Sequence, residues 1–321
     1  MISVEIDSEP DSMWNKRLQN SEEGSIYQTK EYGLTLSEEQ ETPLFLKFLT
    51  SNGEIVGQIL ISTYSRLTKK GILKKFIGKT LFLNKPVFRW TYGPIIFNDN
   101  FNSEIMQALN NLLRSKKGLI YGTIHPFSKL NNSTLNYFKN QLWGTFLIDL
   151  RKTEQELFQK IENHNGKKNI KRSLERGVEI EEITYDSLHE YHDLINKMRE
   201  SDGKPKTEFH IFQNWWKVLK PAGYSGFLAK KDNVVLGGLL FSCLNGYIIE
   251  GGVARSPVDT KNHYYSQDLI KWNIIKWGVK NNMKFYDLAG INPNPSTEKE
   301  QGIFRYKKKW GGQLFNYWMI K

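Results

Sequence analysis

Two stretches of this chain, 45–61 (FLKFLTSNGEIVGQILI) and 227–241 (FLAKKDNVVLGGLLF), follow one plan. Each reads as an apolar strand, a tight turn and a second apolar strand containing glycine, and the second strands IVGQILI and VLGGLLF match closely. Asn52-Gly53 is a strong hairpin signal because the turn needs positive φ; the second copy has a shorter turn. A helix and then a strand follow each hairpin. In the first copy Ser103 is the expected N-cap, with Ile105, Ala108, Leu109, Leu112 and Leu113 at helical spacing and Lys117-Gly118 as the stop before LIYGTI. In the second copy the helix starts near Ser266, turns Ile270, Ile274 and Trp277 to one face, and leads into KFYDLAG. The order hairpin, helix, strand occurs twice. It implies an α/β (α+β) architecture of two tandem domains, each a mixed β-sheet flanked by helices, with the seam near Leu150 and domains of 1–150 and 151–321.

The chain has 321 residues, 39% of them hydrophobic, which is enough for a sizeable core and excludes a disordered chain. Its single cysteine, Cys243, lies in the apolar run VVLGGLLFSC, so it reads as a buried inert thiol in a reducing compartment. The segment MISVEIDSEPDSMW has acids and no apolar targeting core, and no stretch reaches the roughly 20 apolar residues of a membrane span. A cytoplasmic protein is the expectation.

The net charge of +11 falls in three clusters. Between Ile55 and Phe97 stand Arg66, Lys69, Lys70, Lys74, Lys75, Lys79, Lys85 and Arg89, with no acid. A helix expected over 154–176 carries Lys167, Lys168, Lys171, Arg172 and Arg176, and the third cluster is Lys307, Lys308 and Lys309. Such fields suit phosphate-rich partners: nucleic acid, nucleotide-linked substrates or anionic lipid.

Common catalytic patterns are missing: there is no G-x-S-x-G, Walker loop or H-E-x-x-H. His189 and His192 are spaced i, i+3, but no third ligand accompanies them, so a solvated face is expected and no metal. The segment KNHYYSQDL, from Lys261, lies where an acetyltransferase would carry its pyrophosphate loop. Tyr264 and Ser266 stand in the glycine positions and would obstruct the phosphates, so coenzyme A is not expected. The lysine triplet approaches the terminal strand after Gly312 from a turn, with at least one ammonium pointing inward to meet a phosphate or a developing oxyanion. Glu250, in the apolar strand YIIEGG, is a candidate enclosed carboxylate. Asp287, ending FYDLAG, either orients a substrate amine or caps a turn. The polar loop RESDGKPKTEFH supplies Arg199, Lys206 and His210 to close over a binding cleft, and Tyr265 completes the candidate substrate-binding set.

Several segments resemble the Fem family of aminoacyl-tRNA-dependent transferases, which build peptidoglycan bridges. SIYQTKEYG resembles its amino-terminal aromatic-Gln-Ser/Thr element, and RWTYGPII its Tyr-x-x-x-Gly-Pro strand. The segment 146–180 resembles the family's entry into its second domain, and KFYDLAG with GIFRYKKKWGG its closing pair of motifs. The resemblance implies two acetyltransferase-like domains in tandem, with a terminal strand at about 314–321 returning to the first. It places Lys307 at the lysine implicated in catalysis; Lys308 and Lys309, projecting in other directions as neighbours on a strand or turn, are expected to matter much less. Leu36 stands where a substrate-phosphate lysine belongs. The implied partners are aminoacyl-tRNA, held partly by Lys167, Lys168, Lys171 and Arg172, and an anionic nucleotide- or lipid-linked peptide acceptor reached at the inner face of the membrane. The alternatives are an N-acyltransferase with another donor and a non-catalytic RNA-binding module.

Overall fold

The computed structural model describes residues 2–65 and 85–321. Its chain forms two compact units, Met1–Gly144 with Asn316–Lys321, and Thr145–Phe315. Of the first basic cluster, Arg66, Lys69, Lys70, Lys74, Lys75 and Lys79 lie outside the described residues. Arg89 is spent internally, with a nitrogen 3.0 Å from each oxygen of the buried Glu41.

In the first unit, strands β1 (Ser3–Asp7), β2 (Thr42–Leu49), β3 (Ile55–Ser65) and β4 (Pro86–Trp90) lie side by side, β5 (Ile95–Ile96) pairs with β3, and β6 (Leu119–Thr123) lies beyond β4. The β2–β3 pair is the hairpin read from sequence, with Gly53 at φ +81° in its turn. β4 and β6 run parallel. A parallel pair needs a crossover, and here it contains helix α3 (Asn102–Ser115), which follows α1 (Trp14–Gln19) and α2 (Lys30–Leu36). Phe101, not Ser103, is the N-cap of α3, because a short turn capped by Asn98 runs straight into the helix. Ile105, Leu109 and Leu113 pack on Phe48, Val56 and Ile59. The chain end pairs antiparallel with β6, Met319 opposite Thr123.

The second unit repeats the scheme. Beyond β7 (Asn140–Asp149) its helices are α4 (Glu154–Lys160), α5 (Lys168–Glu175), α6 (Leu188–Ser201), α7 (Phe209–Leu219), α8 (Pro257–Asn262), α9 (Ser266–Lys280) and α10 (Glu298–Lys308). Its strands β8 (Glu179–Glu182), β9 (Tyr224–Lys231), β10 (Val234–Leu244), β11 (Tyr247–Arg255) and β12 (Phe285–Ile291) follow the order β12-β11-β10-β9-β8, and the chain closes with β13 (Gln313–Ile320). The hairpin β9–β10 is antiparallel, while β11 and β12 are parallel, with α9 in the crossover. Apolar residues Leu269, Ile270, Ile274 and Ile275 bury α9 against Phe227, Phe241 and Tyr286. The single helix expected over 154–176 is interrupted: a π turn over Asn163–Lys167, capped by Glu162, separates α4 from α5.

Two local features aim the site. The β10–β11 register shifts between Leu239 and Phe241, a bulge beside Glu250; an extra residue of this kind bends a strand and redirects its side chains. Ala289, near the end of β12, adopts φ +62°, a conformation that disfavours any residue with a side chain.

Candidate active site

Ala289 is held in its left-handed conformation from both sides. Its N–H donates to Asp287 Oδ1 at 2.8 Å, and its carbonyl accepts from Thr145 Oγ1 at 2.9 Å. Asp287 is fully buried; its Oδ1 shares the single Thr145 hydroxyl proton with Ala289 O, and Tyr247 donates to its Oδ2 at 2.7 Å. These bonds fix two carbonyls, Ala289 O and Gly290 O, which accept from Lys307 Nζ at 3.0 and 3.2 Å. An ammonium has three N–H donors, so this grip aims the third. Asp287 therefore acts on the turn that positions Lys307; it does not offer a carboxylate to a substrate amine.

Lys307 stands in the last turn of α10, not in a turn before the terminal strand. The helix begins with a capping box in which Thr297 and Glu300 satisfy each other's backbone N–H groups, a signal present in the sequence as Thr-x-x-Glu. Helical phase separates the triplet. Lys308 faces the solvent side, whereas Lys309 is enclosed and donates to Asp268 Oδ1 at 2.6 Å and to Asn165 O at 2.8 Å. Asn169 donates to the other Asp268 oxygen at 2.8 Å.

A second buried pair lies behind the site. Lys271, 2% exposed, bonds directly to Glu250, and Tyr286 donates to the same Glu250 oxygen at 2.5 Å. The ring of Tyr306 lies 5.7 Å from the Lys271 ammonium and 4.3 Å from that of Lys309. Desolvation lowers the pKa of Lys307; Glu250 and Asp287 oppose that shift while Lys271 adds to it. Desolvation also lowers Lys309, against the pull of Asp268. Burial, reinforced by these acids, pushes Tyr286 and Tyr306 well above the usual phenol range. The arrangement is an enclosed set of fixed charges around one aimed ammonium.

A family model described as FemAB family matches residues 229–318, the stretch that supplies Glu250, Lys271, Asp287 and Lys307. Over that stretch the chain is similar to the FemAB family, and its fold is acetyltransferase-like. The Lipid II:glycine glycyltransferase of Staphylococcus haemolyticus (strain JCSC1435) is 20% identical over 239 residues, 53% of this chain and 56% of that protein. The chain thus spans little more than half the length of this curated relative. The crystal structure of FemX is similar in fold, with a TM-score of 0.69 and 15% identity over 99% of this chain and 97% of that one. A tandem GNAT protein from the clavulanic acid biosynthesis pathway gives a TM-score of 0.57 and 11% identity, over 99% of this chain and 97% of that one.

The loop before α9 does not offer a phosphate cradle. The backbone N–H of Ser266 donates to the buried Asp259 at 2.9 Å, and those of Asp268 and Leu269 return to Tyr265 O, so a carboxylate already sits at the helix start. Arg255 pairs with Asp259. Tyr264 packs against the core, while Tyr265, at φ +58°, lies against Arg172 and Arg176. Arg176 is also tied to the carbonyls of Asn262 and His263.

The remaining expected residues divide between structural and exposed roles. Lys167 reaches back to Gln159 O and Asn163 Oδ1, both at 2.9 Å, which closes the π turn. Lys168 and Lys171 are exposed, Lys171 lying 3.6 Å from Glu175. Arg199 donates to Pro205 O and Lys206 pairs with Glu200, contacts that tie the loop back to the last turn of α6; His210 is exposed on α7. His189 and His192 spend a ring nitrogen each on the carbonyls of Asp186 and Thr207. Sequence reading missed Lys271, Asp268 and Tyr286. A lysine flanked by Ile270, Trp272, Ile274 and Ile275 was the available signal for the first.

Proposed function

We propose that this protein is an aminoacyltransferase that moves an amino acid from aminoacyl-tRNA to an amine of a peptidoglycan-precursor peptide. The relative named for glycine transfer to lipid II supports a lipid-linked acceptor, and the likeness to FemX supports the fold on which such a site is built. Among the described residues no helix is long and apolar enough to cross a membrane.

The observation that carries the reading is the aimed Lys307 ammonium in a desolvated setting. The acceptor amine attacks the ester carbonyl carbon and a tetrahedral oxyanion forms. Its collapse makes the amide and breaks the bond to the ribose oxygen, which takes the proton released by the amine. Ester aminolysis is downhill, so alignment and oxyanion stabilisation suffice, and Lys307 supplies the latter while remaining protonated. A groove of about 510 Å³, with Lys160, Arg305 and Lys308 on its wall beside Glu162, would receive the phosphates of the acceptor end at those three cations.

The test is incubation with a mixture of charged tRNAs and candidate peptide amines, followed by mass spectrometry. A new amide that requires both partners is the expected result. RNA binding with no transfer to any amine would leave a binding module, and transfer from a donor lacking RNA would replace the proposed one.

A further inference from the structure

Beside the last turn of α10 lies a partly enclosed cavity of about 270 Å³, whose walls include Asp149, Arg151, Lys152, Lys160 and Trp310. Trp310 is 1% exposed, and its indole N–H meets no acceptor among the described residues. Buried donors nearly always have an oxygen partner. Lys152 and Lys160 both stand on the cavity wall, and the Lys152 ammonium lowers the pKa of Lys160. Two ammonium groups repel at such range; an anion shared by both turns that repulsion into charge-assisted bonds. Asp149 does not serve, because Arg151 engages its two oxygens at 2.8 and 2.9 Å.

Lys160 also borders the larger groove that holds Arg305, Lys308 and Lys309, so the two spaces share one cation. Lys309 is committed to Asp268, and a strand with one negative charge per nucleotide fits the remaining row of Lys160, Arg305 and Lys308 better than an isolated carboxylate does. We propose that the cavity is a phosphate-binding subsite, formed by Lys152 and Lys160 beside the buried Trp310 indole, that takes a phosphodiester of the RNA whose acceptor end occupies the groove. The RNA assignment rests on the aminoacyl-tRNA reading; the phosphate chemistry does not.

The experiment uses the full chain with isotope-labelled tryptophan, the Trp310 indole resonance being identified by its loss in Trp310→Phe. Titration with inorganic phosphate should move that resonance saturably, chloride at equal ionic strength should not, and Lys152→Ala should weaken the effect about tenfold or more, as loss of a charge-assisted bond does. Lys152→Arg should retain it. No shift, a shift equal to that with chloride, or full retention in Lys152→Ala overturns the subsite. In the second arm, a short RNA hairpin ending in the tRNA acceptor sequence is bound at several salt concentrations. Lys152→Ala should reduce the salt slope by about one phosphate contact. An unchanged slope with the phosphate response intact overturns the RNA assignment and leaves a site for free phosphate. Failure of the unaltered protein to bind the hairpin overturns the aminoacyl-tRNA reading while the phosphate titration still decides the subsite.

Discussion

Lys307 is held by two carbonyls rather than by an acid, so its charge is oriented without being neutralised in contact. Lys307→Met should therefore lower kcat by about 10²-fold or more with an unchanged circular dichroism spectrum, as loss of an oxyanion-stabilising donor does. Lys308→Met should cost little. Lys309→Met is a different experiment, because it leaves the enclosed Asp268 carboxylate without its cation. Breaking a buried pair from one side costs about 3 kcal/mol or more, which chemical denaturation would register as a lower midpoint. Equal kinetic losses with equal stability in all three variants would point instead to a diffuse anion patch. The pH dependence has a fixed sign. Burial lowers the Lys307 pKa from its ordinary 10.5, so activity should fall on the alkaline side before that value is reached. Between the lowered pKa and 10.5 the unfolded chain binds more protons than the folded one, and this residue's contribution to stability rises with pH across that window. Both the alkaline fall in rate and part of that rise should be absent in Lys307→Met, as pH-rate profiles and denaturation at matched pH would reveal.

The phase of α10 decides which lysine points where, and that phase starts at its capping box. Thr297→Ala removes the N-cap acceptor for Glu300 N–H and should cost about 1 kcal/mol. Hydrogen exchange should quicken first over 298–308, with a smaller fall in kcat than Lys307→Met produces. This helix also marks where sequence reading stopped. The paired hairpins, the start of α9 at Ser266 and the enclosed place of Glu250 are local patterns, legible from alternation, turn residues and an acid inside an apolar strand. Reading the lysine triplet as a turn overlooked Thr297 and Glu300, and with them the helical rotation that separates Lys307 from Lys309. Lys271 and Asp268 were harder, because so much of α9 is buried that neither marks an exposed polar face. Their partners also lie far away in sequence: Asn169 reaches Asp268 across 99 positions and Glu250 meets Lys271 across 21. Only the folded sheet brings them together.

The net charge of +11 overstates what the protein can offer a polyanion. Arg89 is committed to Glu41, Lys167 to the π turn, Arg176 to two carbonyls and Lys309 to Asp268. Lys168 and Lys171 remain exposed on α5, and Arg172 lies against Tyr265. Phosphate contacts release counterions, so tRNA affinity should fall steeply as salt rises, each contact adding roughly 0.7 to 0.9 to the slope. Charge reversal of Lys168, Lys171 and Arg172 together should flatten the slope and lower affinity at low salt, whereas reversal of Lys167 should mainly destabilise the turn it closes. Filter binding over a salt series, paired with thermal denaturation of each variant, separates the two effects. A slope unchanged by the triple reversal would show that α5 faces away from the RNA and would move the contact to the groove lined by Arg305 and Lys308.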